Sequence, residues 1–227
     1  MTRTQWIRRV GKPLVFLTAL APTGWIIWEG VTDNLTANPI QELEHQTGLW
    51  LLRFLCITLA VTPLRRLTGW NDLIRFRRML GLFAFYYGCL HFLSYFCLDQ
   101  FFNLRAIMAD IVKRPYITVG FTGFVLMIPL AVTSTAAMIR RLGGRRWQLL
   151  HRLIYVSAVA GVIHYWWSVK ADIRSPERYA IAVAVLLGFR LLYAAVKSRQ
   201  RLRPAPAAAL RPPFARFSAI ERDGSPD

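Results

Sequence analysis

The chain has 227 residues, of which 55% are hydrophobic, with a formal net charge of +17 and a mean hydropathy of +0.33. The apolar residues form long blocks separated by short basic loops, which is typical of a membrane protein and argues against a soluble domain. Positive charge placed between apolar blocks is expected of loops on the cytoplasmic side of a membrane, so it does not indicate nucleic acid as a partner. The three cysteines form no C-x-x-C pair, and no disulfide framework or zinc ribbon is indicated.

Six apolar spans follow one another along the chain, and they predict an all-α integral membrane protein with six transmembrane helices. The spans run near 12–28, 48–63, 79–98, 116–138, 152–168 and 177–196. A basic segment, 1–11, precedes this membrane domain (12–196). A basic tail rich in proline and alanine, 197–227, follows it and is predicted to be disordered. The residues before position 22 resemble a signal-peptide cleavage site, but the apolar run continues past it, which favours an uncleaved first helix.

The distribution of charge predicts the orientation of these spans. The segment 29–47 has no Lys or Arg, whereas loops 64–78 and 139–151 are rich in arginine. Basic loops are retained on the cytoplasmic side. Both termini are therefore predicted to face the cytoplasm of a bacterial inner membrane, and segment 29–47 is predicted to face the periplasm.

Proline and glycine predict the shape of the fourth span and the turn after it. Pro115 stands where a helix would begin, at its first position. Pro129 lies inside the span and is expected to kink it. The pair Gly143-Gly144 predicts a flexible turn between the fourth and fifth spans.

Two histidines lie deep inside apolar spans, where ionisable residues are costly and therefore candidates for function. At 1.5 Å per residue, His91 lies about 18 Å from the cytoplasmic end of the third span and His164 about 20 Å from that of the fifth. Two imidazoles at one depth on separate helices suit a six-coordinate haem, with the other ring nitrogen of each bound to a carbonyl or hydroxyl. The chain has no C-x-x-C-H motif, so such a haem would be held without covalent links. The alternative is a pair of histidines that only hydrogen-bond within the helix packing.

His151 lies at the cytoplasmic start of the fifth span, thirteen residues before His164. At about 100° per residue the two lie roughly 140° apart around an ideal helix, so they do not share a face. The remaining histidine, His45, lies at the periplasmic end. His151 is therefore a candidate for a second haem with an unusual axial ligand, for a quinone or flavin site, or for a simple interfacial polar residue.

Three arginines are further candidates for binding a cofactor. Arg53 lies near the periplasmic end of the second span, where it could neutralise a haem propionate or extend its charge to the surface. Arg77 and Arg78 belong to a basic cluster that could bind a cofactor phosphate or anionic membrane lipid.

Two stretches of the sequence resemble the ferric-reductase-like transmembrane family. The first is Arg78-Met79-Leu80-Gly81 leading to Tyr87 and His91, and the second is the pattern W-x-x-L-H-R-L-x-Y at 147–155, followed by His164 and Trp167. The similarity covers about residues 10 to 197. The chain carries no soluble nucleotide-binding domain, and it is most similar to the family members that serve as haem-binding membrane subunits of periplasmic methionine sulfoxide reductases.

The resemblance implies an electron-transfer subunit that does not itself reduce methionine sulfoxide. It implies haem b associated with His91, His151 and His164, and FMN without an assigned site. It also implies electrons taken from the quinone pool and passed to a periplasmic molybdopterin reductase that repairs oxidised methionine in envelope proteins.

This chain departs from the two-haem members of the family in having one histidine, not two, on the third span. Those members also carry a cytosolic flavin and nicotinamide domain, so here the electrons must come from another molecule, such as quinol or a separate flavin reductase. Two other classes of function stay open. A transporter would use the intramembrane His and Arg, although no repeated halves are visible. A membrane anchor would be colourless and would tolerate loss of the histidines.

Overall fold

The structure is a computed structural model that describes residues 2–169 and 171–202. Within these two stretches all regular structure is helical and no strand occurs, which confirms the all-α prediction. Short π-helical turns, Ile7–Gly11 and Ser94–Asp99, and a 3-10 turn, Asn71–Leu73, adjoin the α-helices. The ten described α-helices are α1 (Arg3–Trp6), α2 (Lys12–Val31), α3 (Pro39–Thr68), α4 (Ile74–Leu93), α5 (Leu104–Lys113), α6 (Pro115–Val132), α7 (Ala136–Leu142), α8 (Gly144–Leu150), α9 (Leu153–Ser168) and α10 (Arg174–Leu202).

The chain up to Phe189 forms one compact unit, and the chain from Arg190 onward belongs to a second, of which the end of α10 is described. Helix α10 continues through Leu202, beyond the predicted end of the membrane domain at residue 196. The rest of the predicted disordered tail, 203–227, lies outside the described residues.

Five helical segments of the described chain are long and apolar enough to cross a membrane. They coincide with the first, second, third, fourth and sixth predicted spans. The fifth predicted span is occupied by α9, whose 16 residues rise about 24 Å against a bilayer core of about 30 Å. A multi-pass membrane protein is therefore indicated, while the sixth crossing and the cytoplasmic termini stay predictions. The five segments are Arg3–Val31, Pro39–Thr68, Asn71–Asp99, Pro115–Val132 and Arg174–Gln200.

The surface of these helices is apolar, as contact with lipid requires. Many large hydrophobic side chains are exposed along them. Tryptophans are exposed near helix ends, where an aromatic belt would lie. These tryptophans are Trp25, Trp28, Trp166 and Trp167.

The fourth membrane helix, α6, ends before the predicted boundary at residue 138. Pro129 has no N–H to donate to the preceding turn, which weakens the helix there. The hydroxyls of Thr133 and Ser134 then donate to carbonyls of the last turn of α6, at 2.6 and 2.7 Å. The side chain of Thr135 accepts a hydrogen bond from the first turn of α7 and starts a new helix. Proline and three hydroxyl residues thus divide what hydropathy alone predicts as one span.

Two other predicted backbone features are confirmed. Pro115 occupies the first turn of α6, where its missing N–H costs nothing. Gly143 separates α7 from α8 with φ of +76°, a conformation that glycine adopts without strain. The basic segment predicted as loop 139–151 therefore contains the end of α7 and the whole of α8, and the chain turns between them at Gly143.

The helices that position the candidate site pack in two pairs, α3 with α4 and α6 with α9. At the centre of the first pair Tyr87 is fully buried and stacks on Phe54, with ring centroids 5.3 Å apart and an interplanar angle of 9°. The Tyr87 hydroxyl donates to the Ala19 carbonyl at 2.8 Å and accepts from the Thr23 hydroxyl at 3.1 Å. These bonds tie α2 to α4 one helical turn before His91.

Replacing Tyr87 with phenylalanine keeps the buried ring and removes both of these interhelical hydrogen bonds. We expect Tyr87→Phe to lower the free energy of unfolding by about 1 kcal/mol, the scale of such bonds within membranes. Unfolding by sodium dodecyl sulfate of the purified protein in bicelles measures it. Tyr86→Phe is the matched control, because the Tyr86 hydroxyl makes no hydrogen bond within the described chain. An equal loss of unfolding free energy in Tyr87→Phe and Tyr86→Phe would contradict this role of Tyr87.

Candidate haem site

His91 projects from α4 toward α3 and is held there by the α3 backbone. Its Nδ1 lies 2.9 Å from the carbonyl oxygen of Glu44. A carbonyl only accepts, so Nδ1 carries the proton and donates. This fixes the tautomer and leaves Nε2 with the lone pair that a metal ion requires.

His164 is held in the same way by a different pair of helices. It projects from α9 toward α6, and its Nδ1 donates to the carbonyl oxygen of Tyr116 at 2.7 Å. Both histidines therefore have the backbone carbonyl partner that the sequence predicted for a haem ligand. The partner in each case comes from the helix against which the histidine's own helix packs.

The two imidazoles lie next to each other in the interior of the helix bundle. Their ring centroids are 6.0 Å apart, and the planes are inclined by 73°. A metal–imidazole nitrogen bond is about 2 Å, and the ring centre lies about 1 Å beyond the nitrogen, so two axial imidazoles on one iron have centres about 6 Å apart. The observed separation fits a bis-histidine iron.

The composition of the site also fits a porphyrin. Among residues 2–169 and 171–202 there is no group of three or more His, Cys, Asp or Glu side chains that could hold a bare metal ion. Two axial imidazoles suffice for haem because the porphyrin supplies the other four ligands. The donor set, both tautomers and the spacing thus agree with haem held by His91 and His164.

His151 lies in the turn between α8 and α9, apart from this pair. Its ring packs on the Trp147 indole with centroids 3.9 Å apart, and its Nδ1 donates to the Trp147 carbonyl at 3.0 Å. Its Nε2 is 3.4 Å from the Ser134 hydroxyl. Burial lowers the pKa of His151, and the nearby positive charge of Arg77 lowers it further. Arg77 is thus near enough to His151 to act on it electrostatically, a relation between two predicted site residues that sequence spacing did not indicate.

The remaining predicted site residues lie in different surroundings. The Arg53 guanidinium stacks on the Trp50 indole, 4.4 Å from the ring centroid, and its Nε donates to the Tyr179 hydroxyl at 3.2 Å. Arg78 is exposed. Aromatic groups hold Arg53 in place. The role of Arg53 toward a haem propionate and that of Arg78 toward a phosphate stay predictions.

Sequence reasoning missed the groups that hold the histidines in place. The acceptors are main-chain carbonyls of Glu44 and Tyr116, which have no signature in the side chains. The visible signal lies four residues further on in each helix, where Gly48 and Gly120 stand beside the imidazoles. Glycine at these positions lets the ring approach the backbone closely.

Comparison with known proteins identifies the family. The profile of the family described as ferric reductase like transmembrane component matches residues 45–162. Among curated relatives, the protein-methionine-sulfoxide reductase heme-binding subunit MsrQ of Herminiimonas arsenicoxydans is 55% identical over 81% of this chain and 85% of its own length. The MsrQ of Ralstonia nicotianae is 53% identical over 89% of this chain and 94% of its own. The MsrQ of Rhodospirillum rubrum is 51% identical over 86% and 94%.

An all-helical, multi-pass membrane chain with two adjacent intramembrane histidines belongs, on these matches, to the ferric-reductase-like transmembrane family. Within that family it groups with the MsrQ proteins, which confirms the resemblance read from the sequence around His91 and His151.

Proposed function

We propose that this chain is a haem b-binding electron-transfer subunit of the bacterial inner membrane. It would carry electrons from the quinone pool to MsrP, a periplasmic molybdopterin reductase that repairs oxidised methionine. The observation that supports this most directly is the His91–His164 pair, with centroids 6.0 Å apart and both Nδ1 atoms bonded to carbonyls. The relatives are named as haem-binding subunits of protein-methionine-sulfoxide reductase, which supports the same cofactor and system.

In this proposal His91 and His164 hold the haem iron through their Nε2 atoms. Bound haem supplies a one-electron carrier at this depth of the membrane. The carbonyls of Glu44 and Tyr116 fix the plane of each ring and make the imidazoles better electron donors.

The predicted orientation places this pair in the periplasmic half of the membrane, near segment 29–47, which is the candidate docking surface for the periplasmic partner. His151 and Arg77 lie toward the predicted cytoplasmic side. They are our candidates for electron entry, from quinol or through FMN, or for a second haem. Exposed Arg78 is suited to a lipid phosphate, and Arg53 to a haem propionate.

The proposed reaction balances without another reductant. Oxidation of one quinol to quinone releases two electrons and two protons. Reduction of one methionine sulfoxide to the thioether and water takes up two electrons and two protons. The two half-reactions therefore pair one to one, with electrons crossing through the membrane subunit and the sulfoxide reduced on the periplasmic partner.

Anaerobic addition of a soluble quinol to the oxidised protein in proteoliposomes tests the source of electrons. We expect sharp b-type bands of reduced haem to appear with quinol alone. The alternative source is a cytosolic flavin reductase, and bands that appear only with such an enzyme, NADH and flavin would favour it. Protein that stays colourless after haem is supplied would refute the electron-transfer proposal and favour a transporter or a passive anchor.

A further inference from the structure

The same arrangement of carbonyl, glycine and histidine occurs twice in the molecule. On α3 the carbonyl of Glu44 accepts from His91, and Gly48 follows four residues later. On α6 the carbonyl of Tyr116 accepts from His164, and Gly120 follows four residues later. Residues four apart lie one above the other on the same face of a helix. Each histidine ring therefore lies against a glycine in order to reach the carbonyl of the turn before it.

A side chain at either glycine would collide with the imidazole. A Cβ built on Gly120 would lie 2.5 Å from Nδ1 and 2.8 Å from Cγ of His164. A Cβ on Gly48 would lie 3.2 Å from both Nδ1 and Cε1 of His91. The first contact is too short for any side chain, whereas the second requires a shift of a few tenths of an ångström.

The cause lies in the geometry of the helix. Each Cα–Cβ bond tilts toward the N-terminus, so the Cβ of residue i+4 leans over the carbonyl of residue i. That carbonyl already accepts the N–H of residue i+4 and has a second lone pair for an outside donor. A histidine that uses this second lone pair must cross the space of the i+4 side chain, and glycine leaves it open.

The other helical glycines of the described chain do not meet a histidine in this way. A Cβ at Gly24 or Gly188 would meet nothing within 4 Å. A Cβ at Gly123 would meet the Ala160 side chain at 3.1 Å, so this glycine serves the packing of α6 on α9. Contact with a candidate iron ligand is specific to Gly48 and Gly120.

We propose that Gly48 and Gly120 are positioning residues for the haem ligands, each opening the path by which an imidazole reaches its backbone carbonyl. Through the Nδ1 hydrogen bond they set the plane of each ring and the electron donation of its Nε2. This inference rests on the proposed function, because it concerns how His91 and His164 hold the iron. The two sites differ in tolerance, Gly120 excluding a methyl group and Gly48 resisting it.

The test is haem binding and haem spectroscopy of Gly120→Ala and Gly48→Ala in the full chain, purified in detergent. We expect Gly120→Ala to weaken haem binding by at least about tenfold, the usual effect of losing a partner of a metal-bound histidine. We expect Gly48→Ala to keep its haem with a more positive midpoint potential, because a longer Nδ1 hydrogen bond makes His91 a weaker donor. The potential and the low-spin ferric resonance signal are the readouts.

Gly24→Ala, Gly188→Ala and Gly123→Ala are the controls. The first two add the same methyl group to a membrane helix without a contact, and the third disturbs the α6–α9 packing without touching a ring. Alanine favours a helix more than glycine does. The change in helix propensity would therefore stabilise each variant and does not explain a loss of haem binding. Size-exclusion profiles show whether each variant is folded.

Two results would overturn the inference. One is haem affinity, potential and resonance signal unchanged in both Gly120→Ala and Gly48→Ala. The other is an equal loss in Gly123→Ala, which would make the effect one of helix packing. If Gly120→Ala does not fold, the midpoint potential of Gly48→Ala alone tests the inference, and an unchanged potential would overturn it. Absence of haem from the wild-type protein would instead refute the proposed function, so the two failures are distinguishable.

Discussion

Replacing His164 with alanine is expected to remove the low-spin b-type spectrum of the purified protein. The imidazole is one of two whose ring centroids lie 6.0 Å apart, and a haem iron bound by one histidine would be high-spin and weakly held. His91→Ala is expected to give the same result, because each ring supplies one of the two axial bonds. The haem content per chain, from the pyridine haemochrome assay, should fall about tenfold or more in both variants.

Two other histidine variants separate this effect from a general loss of structure. His45→Ala changes an exposed residue whose ring packs near Tyr165, and it should leave the spectrum intact. His151→Ala should leave the bands of the His91–His164 haem unchanged, since its contacts are with Trp147 and Ser134. A wild-type stoichiometry near two that drops to one in His151→Ala would assign it a second haem. Full haem content in His164→Ala would contradict the proposed ligand pair.

The second large effect concerns delivery of electrons to the periplasmic partner. Proteoliposomes that contain the chain, supplied with quinol on the inside and MsrP with a methionine sulfoxide substrate on the outside, are expected to form methionine. With His91→Ala or His164→Ala we expect the rate to fall to that of liposomes without the chain. The reason is that, of the four histidines in the sequence, His91 and His164 are the two that lie deep inside apolar spans.

This experiment distinguishes a conductor of electrons from an anchor. MsrP that receives electrons from a chemical reductant should work equally well with the wild-type chain and both variants. An anchor would support the quinol-driven reaction equally with or without the histidines, which would contradict the proposal. Gly188→Ala, which adds a methyl group that meets nothing within 4 Å, serves as the control and should retain the wild-type rate.

The sequence was sufficient to predict a helical membrane protein and to single out the two histidines whose rings the structure brings to 6.0 Å, while their role as ligands stays a prediction. Long apolar spans and the cost of a charged group in lipid single out few ionisable residues, and counting residues along two helices places His91 and His164 at one depth. The prediction that the second ring nitrogen of each histidine needs a carbonyl or hydroxyl partner follows from the chemistry of the ring. Which carbonyl it finds depends on the packing of α3 on α4 and of α6 on α9, which hydropathy does not contain.

Other features could not be predicted because they depend on local competition or on tertiary contacts. The end of α6 is set by Pro129 together with the hydroxyls of Thr133 and Ser134, although the hydropathy continues to residue 138. The electrostatic influence of Arg77 on His151 links segments more than seventy residues apart in the sequence. Spacing along one helix carries no information about such an interaction.

The low-temperature electron paramagnetic resonance spectrum of the oxidised wild-type protein tests the central claim most directly. If the two imidazole planes keep their inclination of 73° when haem is bound, they would interact almost equally with the two iron d-orbitals of π symmetry and leave them close in energy. We therefore predict a low-spin ferric signal of high anisotropy, lost in both His91→Ala and His164→Ala. A purely high-spin ferric signal, or a low-spin signal that survives either substitution, would contradict it.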